Sequence, residues 1–254
     1  MKTRVIISLM KIAISGSNDK NRANLIKSFI SQWPMYATPS ETIFQDISWP
    51  ESAPVALEDT KDEMNEIEQK LFAKILLLEQ QYEKYKDVGY IIYDGCGVDV
   101  LVNALILCEE NYVSEEFVEK VIYHNKKLLR DLDVVYYFPD NTLTNESADE
   151  LKILESVYWN FYDNYQTDFD NSPFFDQKNC PSILLLDTDS PINEIKMLLD
   201  SNGNLEGTSQ GGSDGDLLNM DKLKKALRGN PRLLEAALES VRGSNPQNIG
   251  SINF

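Results

Sequence analysis

Cysteine, histidine and positive charge are all scarce in this 254-residue chain, and each shortage closes off a class of chemistry. The three cysteines, Cys96, Cys108 and Cys180, show no CxxC spacing, and His124 is the one imidazole, so no metal site is expected. A single histidine also leaves no Ser/His/Asp or Cys/His set to assemble. An odd, sparse set of thiols suits a reducing compartment. No apolar run approaches the roughly 20 residues that span a bilayer, so no membrane partner is expected. The opening MKTRVIISLMKIAISGS has the basic start of a signal peptide, but Lys11 interrupts its apolar run. A strand leading into a loop explains it better. Lysine and arginine number 24 against 41 acidic residues, for a net charge of −17. Residues 201–254 are balanced, six against six, so the first 200 carry 35 acidic side chains against 18 basic. Such a body repels DNA, RNA and anionic lipid, and opposes free nucleotides unless a local positive pocket exists.

What is present is an alternation of strand and helix patterns. Val5 to Leu9 and Lys11 to Ser15 are rich in β-branched residues and read as a strand that Gly16 ends. Ala23, Leu25, Ile26, Phe29 and Ile30 predict a helix from about Arg22 to Gln32, stopped by the prolines of QWPMYATPSE. An irregular acidic connection over 45–61 precedes a long helix, about 61–86, striped by Met64, Ile67, Leu71, Ile75 and Leu78. VGYIIYDG (88–95) is apolar on both faces and predicts a central strand; DVVYYFP (133–139) and SILLLDT (182–188) predict two more. Helices are expected over VDVLVNALILCEE, over SEEFVEKVIYHNKKLLRDL, and at about 147–165 and 190–200. The second of these opens on Ser114, a weak capping box because its third position is not Glu. Alternating strands and helices imply an α/β fold with a mostly parallel sheet.

The texture changes after residue 200. Composition makes 201–215 a flexible linker. Two short helices, about 216–228 and 231–242, then form a helical tail over 216–254, the second opened by an Asn-Pro pair. Leu217, Leu218, Leu233, Leu234 and Leu238 are among more apolar side chains than two such helices hide alone. Burying each is worth on the order of 1.5–3 kcal/mol, so they are expected to dock, preferably on a neighbouring subunit.

The stretch KIAISGSNDKNRANLIKSFI (11–30) has the order of a nucleotide site: strand, glycine, polar loop, helix. A phosphate-binding loop, GxxxxGK[ST], works through backbone N–H groups, a lysine on the outer phosphates and a hydroxyl on magnesium. Counted from Gly16, the three deciding positions fall on Asn21, Arg22 and Ala23. Arg22 keeps charge without the compact ammonium, and Ala23 has no oxygen for Mg²⁺. Together these changes argue against metal-dependent phosphoryl transfer. Lys20 reads as a solvated charge more than an anion ligand.

With MKIAISG…LIKSFI.QWPMYATPSET, YIIYDGCGVDVLVNALIL and VSEEFVEKVI…LRDLDVVYYFP together, residues 10–200 resemble small phage and bacterial P-loop ATPases related to nucleotide kinases. The resemblance implies a three-layer α/β sandwich on a parallel sheet of about five strands, with 1–200 as a degenerate kinase-like domain. It also implies an Asp-Arg pair ending one strand, where this chain has Asp94-Gly95, and arginines in a lid. Residues 141–180 hold no arginine, only Lys152 and Lys178 against eight carboxylates. The resemblance therefore implies the fold and not the activity: Gly16, Lys20, Asn21, Arg22, Ala23 and Asp94 are a vestigial nucleotide site, with no cofactor expected. ATP with Mg²⁺ belongs to the alternative of an atypical kinase.

Two further features carry competing readings. Asp94 and Asp99 form either an acid–base pair or, preferably, a structural aspartate capping the next helix. YWNFYDNYQTDFDNSPFF (158–175) holds eight aromatics beside Asp163, Asp168 and Asp170, which disfavours nucleic-acid stacking. Trp159, Phe161 and Tyr162 are thus candidates for a protein-contact surface, or a cover for the sheet edge. The preferred function is a non-catalytic scaffold or assembly subunit of a phage particle, in the virion or host cytoplasm, its partners protein subunits that include copies of itself. An acidic inhibitor of a host protein is a further alternative.

Overall fold

Four short strands, β1 (Met10–Ser15), β2 (Tyr90–Asp94), β3 (Val134–Tyr137) and β4 (Ser182–Leu185), form one sheet in the computed structural model. Their order is β2-β1-β3-β4 and every neighbouring pair is parallel, as the alternation of patterns requires. The described residues are 10–41, 43, 60–140, 143, 149–187, 190–196 and 199. The expected strand over Val5 to Leu9, the linker 201–215 and the tail 216–254 with its leucines lie outside them.

Side chains alternate along the strands between two cores. Ile12 and Ile14 of β1, Ile92 of β2 and Val134 and Tyr136 of β3 pack with α1 (Asp19–Gln32) and α6 (Pro191–Lys196), through Leu25, Ile26, Phe29 and Ile195. Ala13, Ile91, Tyr93, Val135 and Tyr137 face the other way. They meet α2 (Thr60–Lys84), α3 (Gly97–Glu109), α4 (Glu115–Leu129) and α5 (Asp149–Thr167). The result is the expected three-layer α/β sandwich. Four strands stand among the described residues where about five were expected, and the fifth position is held by one residue. Ala37 bridges in parallel to Ile91, donating to the Tyr90 carbonyl at 3.0 Å and accepting from Ile92 N at 2.9 Å. Pro34 and Pro39 flank it and cannot donate to a ladder, which keeps that strand from growing.

The helices follow from apolar spacing and from their caps. Leu71, Ile75, Leu78 and Tyr82 make one buried face of α2. In α3 every residue from Gly97 to Ala104 is buried, because α2, α4 and α5 all pack against it. A Cβ on Gly97 would lie 2.6 Å from Asn125 Oδ1, so glycine sets how closely α3 and α4 approach. Ser114 caps α4 by accepting from Phe117 N at 3.1 Å. The glutamate missing from its own box comes from α2: Glu68 accepts from Ser114 N at 2.8 Å and from Ser114 Oγ at 2.7 Å. The helix following β1 begins at Asp19, three residues earlier than the apolar spacing predicts.

Candidate functional site at the carboxyl edge of the sheet

Gly16 leaves the central strand β1 at φ 155°, and a Cβ there would sit 2.2 Å from the Phe138 carbonyl oxygen. Only glycine fits so close an approach in that conformation. Two residues later Asn18 caps α1, its Oδ1 accepting from Asn21 N at 3.0 Å, and Asp19 favours the positive helix end. The segment between strand and helix is therefore only Gly16, Ser17 and Asn18. Residues 19–21, which the GxxxxG pattern would place in the phosphate loop, are the first turn of α1. Lys20 is exposed there, as a solvated charge, and Ala23 lies further along the helix without an oxygen.

Arg22 does not point outward. It is 2% exposed, and its guanidinium is consumed internally. Nε donates to Asp94 Oδ1 at 2.9 Å, Nη2 to Asp19 Oδ1 at 2.6 Å, and Nη1 to the Gly16 carbonyl. Burial pulls the guanidinium down, but Asp99, the Tyr158 hydroxyl, Asp94 and Asp19 together outweigh it and hold the group above its ordinary value. Asp94 answers differently. Its own burial raises its carboxyl, Arg22 offsets this only in part, and Asp99 and Asp19 add to the rise. The cation is thus secure while the carboxylate remains under electrostatic pressure.

Beneath the loop, Asp99 accepts four bonds. Ser15 Oγ at 2.9 Å, Gly16 N at 3.2 Å and Tyr158 OH at 2.6 Å reach Oδ1, and Cys96 N reaches Oδ2 at 2.6 Å. The last of these closes a capping box on α3. Its partners leave Asp99, 2% exposed, as a structural tie between β1, α3 and α5. Glu155 of α5 does the same for the loop's other side, accepting from Ser17 Oγ and the Tyr137 hydroxyl. Asp140 accepts from Asn18 Nδ2 at 2.9 Å. Among the described residues no group of three metal-ligating side chains forms.

No protein-family model matches the chain, and no curated protein sequence does. Among solved structures it is similar to a deoxyadenosine kinase from M. mycoides with the products dCMP and dCDP bound. The TM-score is 0.49 at 17% identity, covering 73% of this chain and 96% of that one. A dCTP-bound structure of that kinase gives a TM-score of 0.45 at 18% identity, covering 73% and 96%.

Of the residues singled out in the sequence, Gly16, Arg22 and Asp94 do come together, through hydrogen bonds to one guanidinium. Asn21 turns aside and lines a cavity of about 460 Å³ with Asn24, Phe138, Ile192 and Asn193. Asn18, Asp19, Glu155 and Tyr158 were not anticipated. The adjacent Asn18-Asp19 pair was the available signal, a helix start hidden by counting from the glycine. The aromatic segment is mostly internal: Phe161 is 5% exposed, with Phe175 edge-on at 4.9 Å. Phe161 is therefore unavailable to a partner, because α5 turns it toward α3 and the segment after α5. Trp159 and Tyr162 keep part of their surface, beside Tyr137. His124 is half-buried, edge-on to Phe72, with Nδ1 at 3.1 Å from Glu79 Oε1.

Proposed function

We propose that this chain is a non-catalytic kinase-like scaffold, an assembly subunit that keeps the framework of a phosphate loop for structural ends. The observation that carries the reading is the buried guanidinium of Arg22, engaged by Asp94, Asp19 and the Gly16 carbonyl. A cation buried to 2% exposure and tied through all three of its nitrogens is held away from solvent and is not placed to follow charge onto a transferring phosphoryl group, which is what catalysis asks of it. The surroundings agree. Ala23 offers magnesium nothing, and Asp19, Asp94, Asp140 and Glu155 encircle the loop with negative charge. The likeness of the quoted segments to phage proteins makes a phage particle the assembly we propose, with protein subunits as partners.

The test is turnover of Mg-ATP, alone and with deoxynucleosides or their monophosphates as acceptors. The expected result is none above background. Turnover that Arg22→Ala abolishes, in a variant shown folded by circular dichroism, would overturn the scaffold reading. It would favour the second one, an atypical nucleotide or deoxynucleoside kinase. That alternative has one observation behind it: the 460 Å³ cavity between α1 and α6 is lined by neutral amides and apolar side chains, a surface suited to a small heterocycle.

A further inference from the structure

The cavity between α1 and α6 has a lining unlike the rest of the chain. Its volume of about 460 Å³ falls within the range of small-molecule sites. Among the described residues that line it none is charged, on a chain of charge −17. Asn21 and Asn24 reach it from α1, and Asn193 joins them from the first turn of α6. No hydrogen bond engages these three side-chain amides among the described residues. Each amide offers two donors and a carbonyl acceptor, the pairing by which asparagine reads the edge of a purine. Phe138 adds a half-buried ring on a fixed backbone, its N–H donating to the Ser15 carbonyl at 2.8 Å and its own carbonyl lying against Gly16. A planar ring system is what such a face stacks on. Leu25 and Ile192 contribute further apolar surface.

What the ligand lacks is set by the loop beside the cavity. Asn21 stands in the first turn of α1, and a phosphate on the same ligand would lie at the start of that turn. There Asn18 Oδ1 already takes the Asn21 N–H at 3.0 Å, and Asp140 accepts from Asn18 Nδ2 at 2.9 Å. Asp19 is 52% exposed at the same end. Lys20 is the exposed cation of that turn, against two carboxylates, and Arg22 is turned inward. A phosphate therefore meets local and overall negative charge, whereas a neutral ring meets neither penalty. We propose that this cavity binds a neutral, planar heterocycle of the nucleobase type, as free base or nucleoside, and that the ligand carries no phosphate. Its ring lies on Phe138, and Asn21, Asn24 and Asn193 read its polar edge. An atypical kinase asks the opposite of this site, since its donor has to run its phosphates past Asp19 and Asp140. The binding site goes beyond the scaffold reading, which neither requires it nor fails with it.

The experiment titrates the full chain with adenine, deoxyadenosine, deoxyguanosine, deoxycytidine, thymidine and dATP, followed by ligand-observed NMR and calorimetry. A ligand of about ten to twenty non-hydrogen atoms at an open site is expected to bind with a Kd on the order of 0.1–1 mM. Adenine against deoxyadenosine separates free base from nucleoside as the source. Asn21→Ala with Asn24→Ala removes the amides of α1 and leaves its cap, which uses the Asn21 backbone. Asn193→Ala removes the amide of α6, and Phe138→Leu removes the ring while keeping apolar volume. Each variant, checked for folding by circular dichroism, is expected to weaken binding about tenfold or more. No binding by any base or nucleoside, or binding that all three variants leave unchanged, would overturn the site. Tighter binding of dATP than of deoxyadenosine would overturn it too, and would favour the atypical kinase. Turnover of Mg-ATP is a separate measurement and alone decides the scaffold reading.

Discussion

Replacing Arg22 with alanine is the perturbation that separates a structural cation from a phosphate ligand. A surface cation in a disused site costs almost nothing to remove. Arg22 is 2% exposed and holds two carboxylates and a carbonyl, so its loss leaves the Gly16 carbonyl without that donor and Asp94 without its counter-charge. Breaking a buried pair from one side costs about 3–5 kcal/mol. Asp94 retains 23% of its side-chain exposure and Asp19 52%, so water relieves part of the loss and the lower end applies, about 3 kcal/mol. That corresponds to a fall in Tm of roughly 6–12 °C for a domain of this size. The pH dependence carries the sharper signature. The Asp94 carboxyl already lies above its ordinary 3.8 in the native state, and removing the guanidinium takes away what holds it down. A carboxyl raised in the native state favours folding while protonated, and that benefit is lost as pH rises through 3.8 toward the raised native value. The variant should therefore differ little from wild type in acid and fall behind progressively toward neutrality. Urea denaturation at a series of pH values measures this. Arg22→Lys should recover only part of the difference, since one ammonium cannot reproduce the three-way fork. A variant within about 1 kcal/mol of wild type at neutral pH, with no growth of the difference from acid, would refute the buried lock.

Other substitutions test the same framework. Gly16→Ala places a methyl 2.2 Å from the Phe138 oxygen at a φ of 155°, so a loss of at least about 2 kcal/mol is expected by chemical denaturation. Asp99→Asn sets an amide among four donors, and a cost of about 2–4 kcal/mol should appear with little change in m-value. In thiol titration of the native protein, Cys96 and Cys180 should stay silent because both are buried, and burial raises the Cys96 thiol further; Cys108, half-buried, should label slowly, and all three in denaturant. Rapid labelling of two thiols in the native state would contradict the packing around α3.

The layers were legible because strand periodicity is a local property. Ile12 against Ala13, and Ile92 against Ile91 and Tyr93, separate to opposite cores by alternation alone, and continuous apolar runs such as VGYIIYDG require both faces covered. The reduced fifth strand was not legible, since QWPMYATPSE reads as a helix stop, and one bridged residue leaves no period to detect. The α1 start was missed because the apolar spacing begins at Ala23 while the cap sits at Asn18.

By itself the sequence determined the parallel α/β sandwich, and it put Arg22 and Ala23 where a phosphate-loop pattern has a lysine and a hydroxyl. These follow from residue type and from periods of two and 3.6, which need no distant partner. Only the tertiary structure decided what Arg22 does instead. Asp94 lies 72 residues away, and the Ser15–Asp99 tie under the loop spans 84, so the guanidinium's inward turn depends on strands that meet only in the folded sheet. The same holds for Phe161 and its neighbours. Aromatic residues at helical spacing fit a core or an interface equally well, and the choice was made by α3 packing against α5.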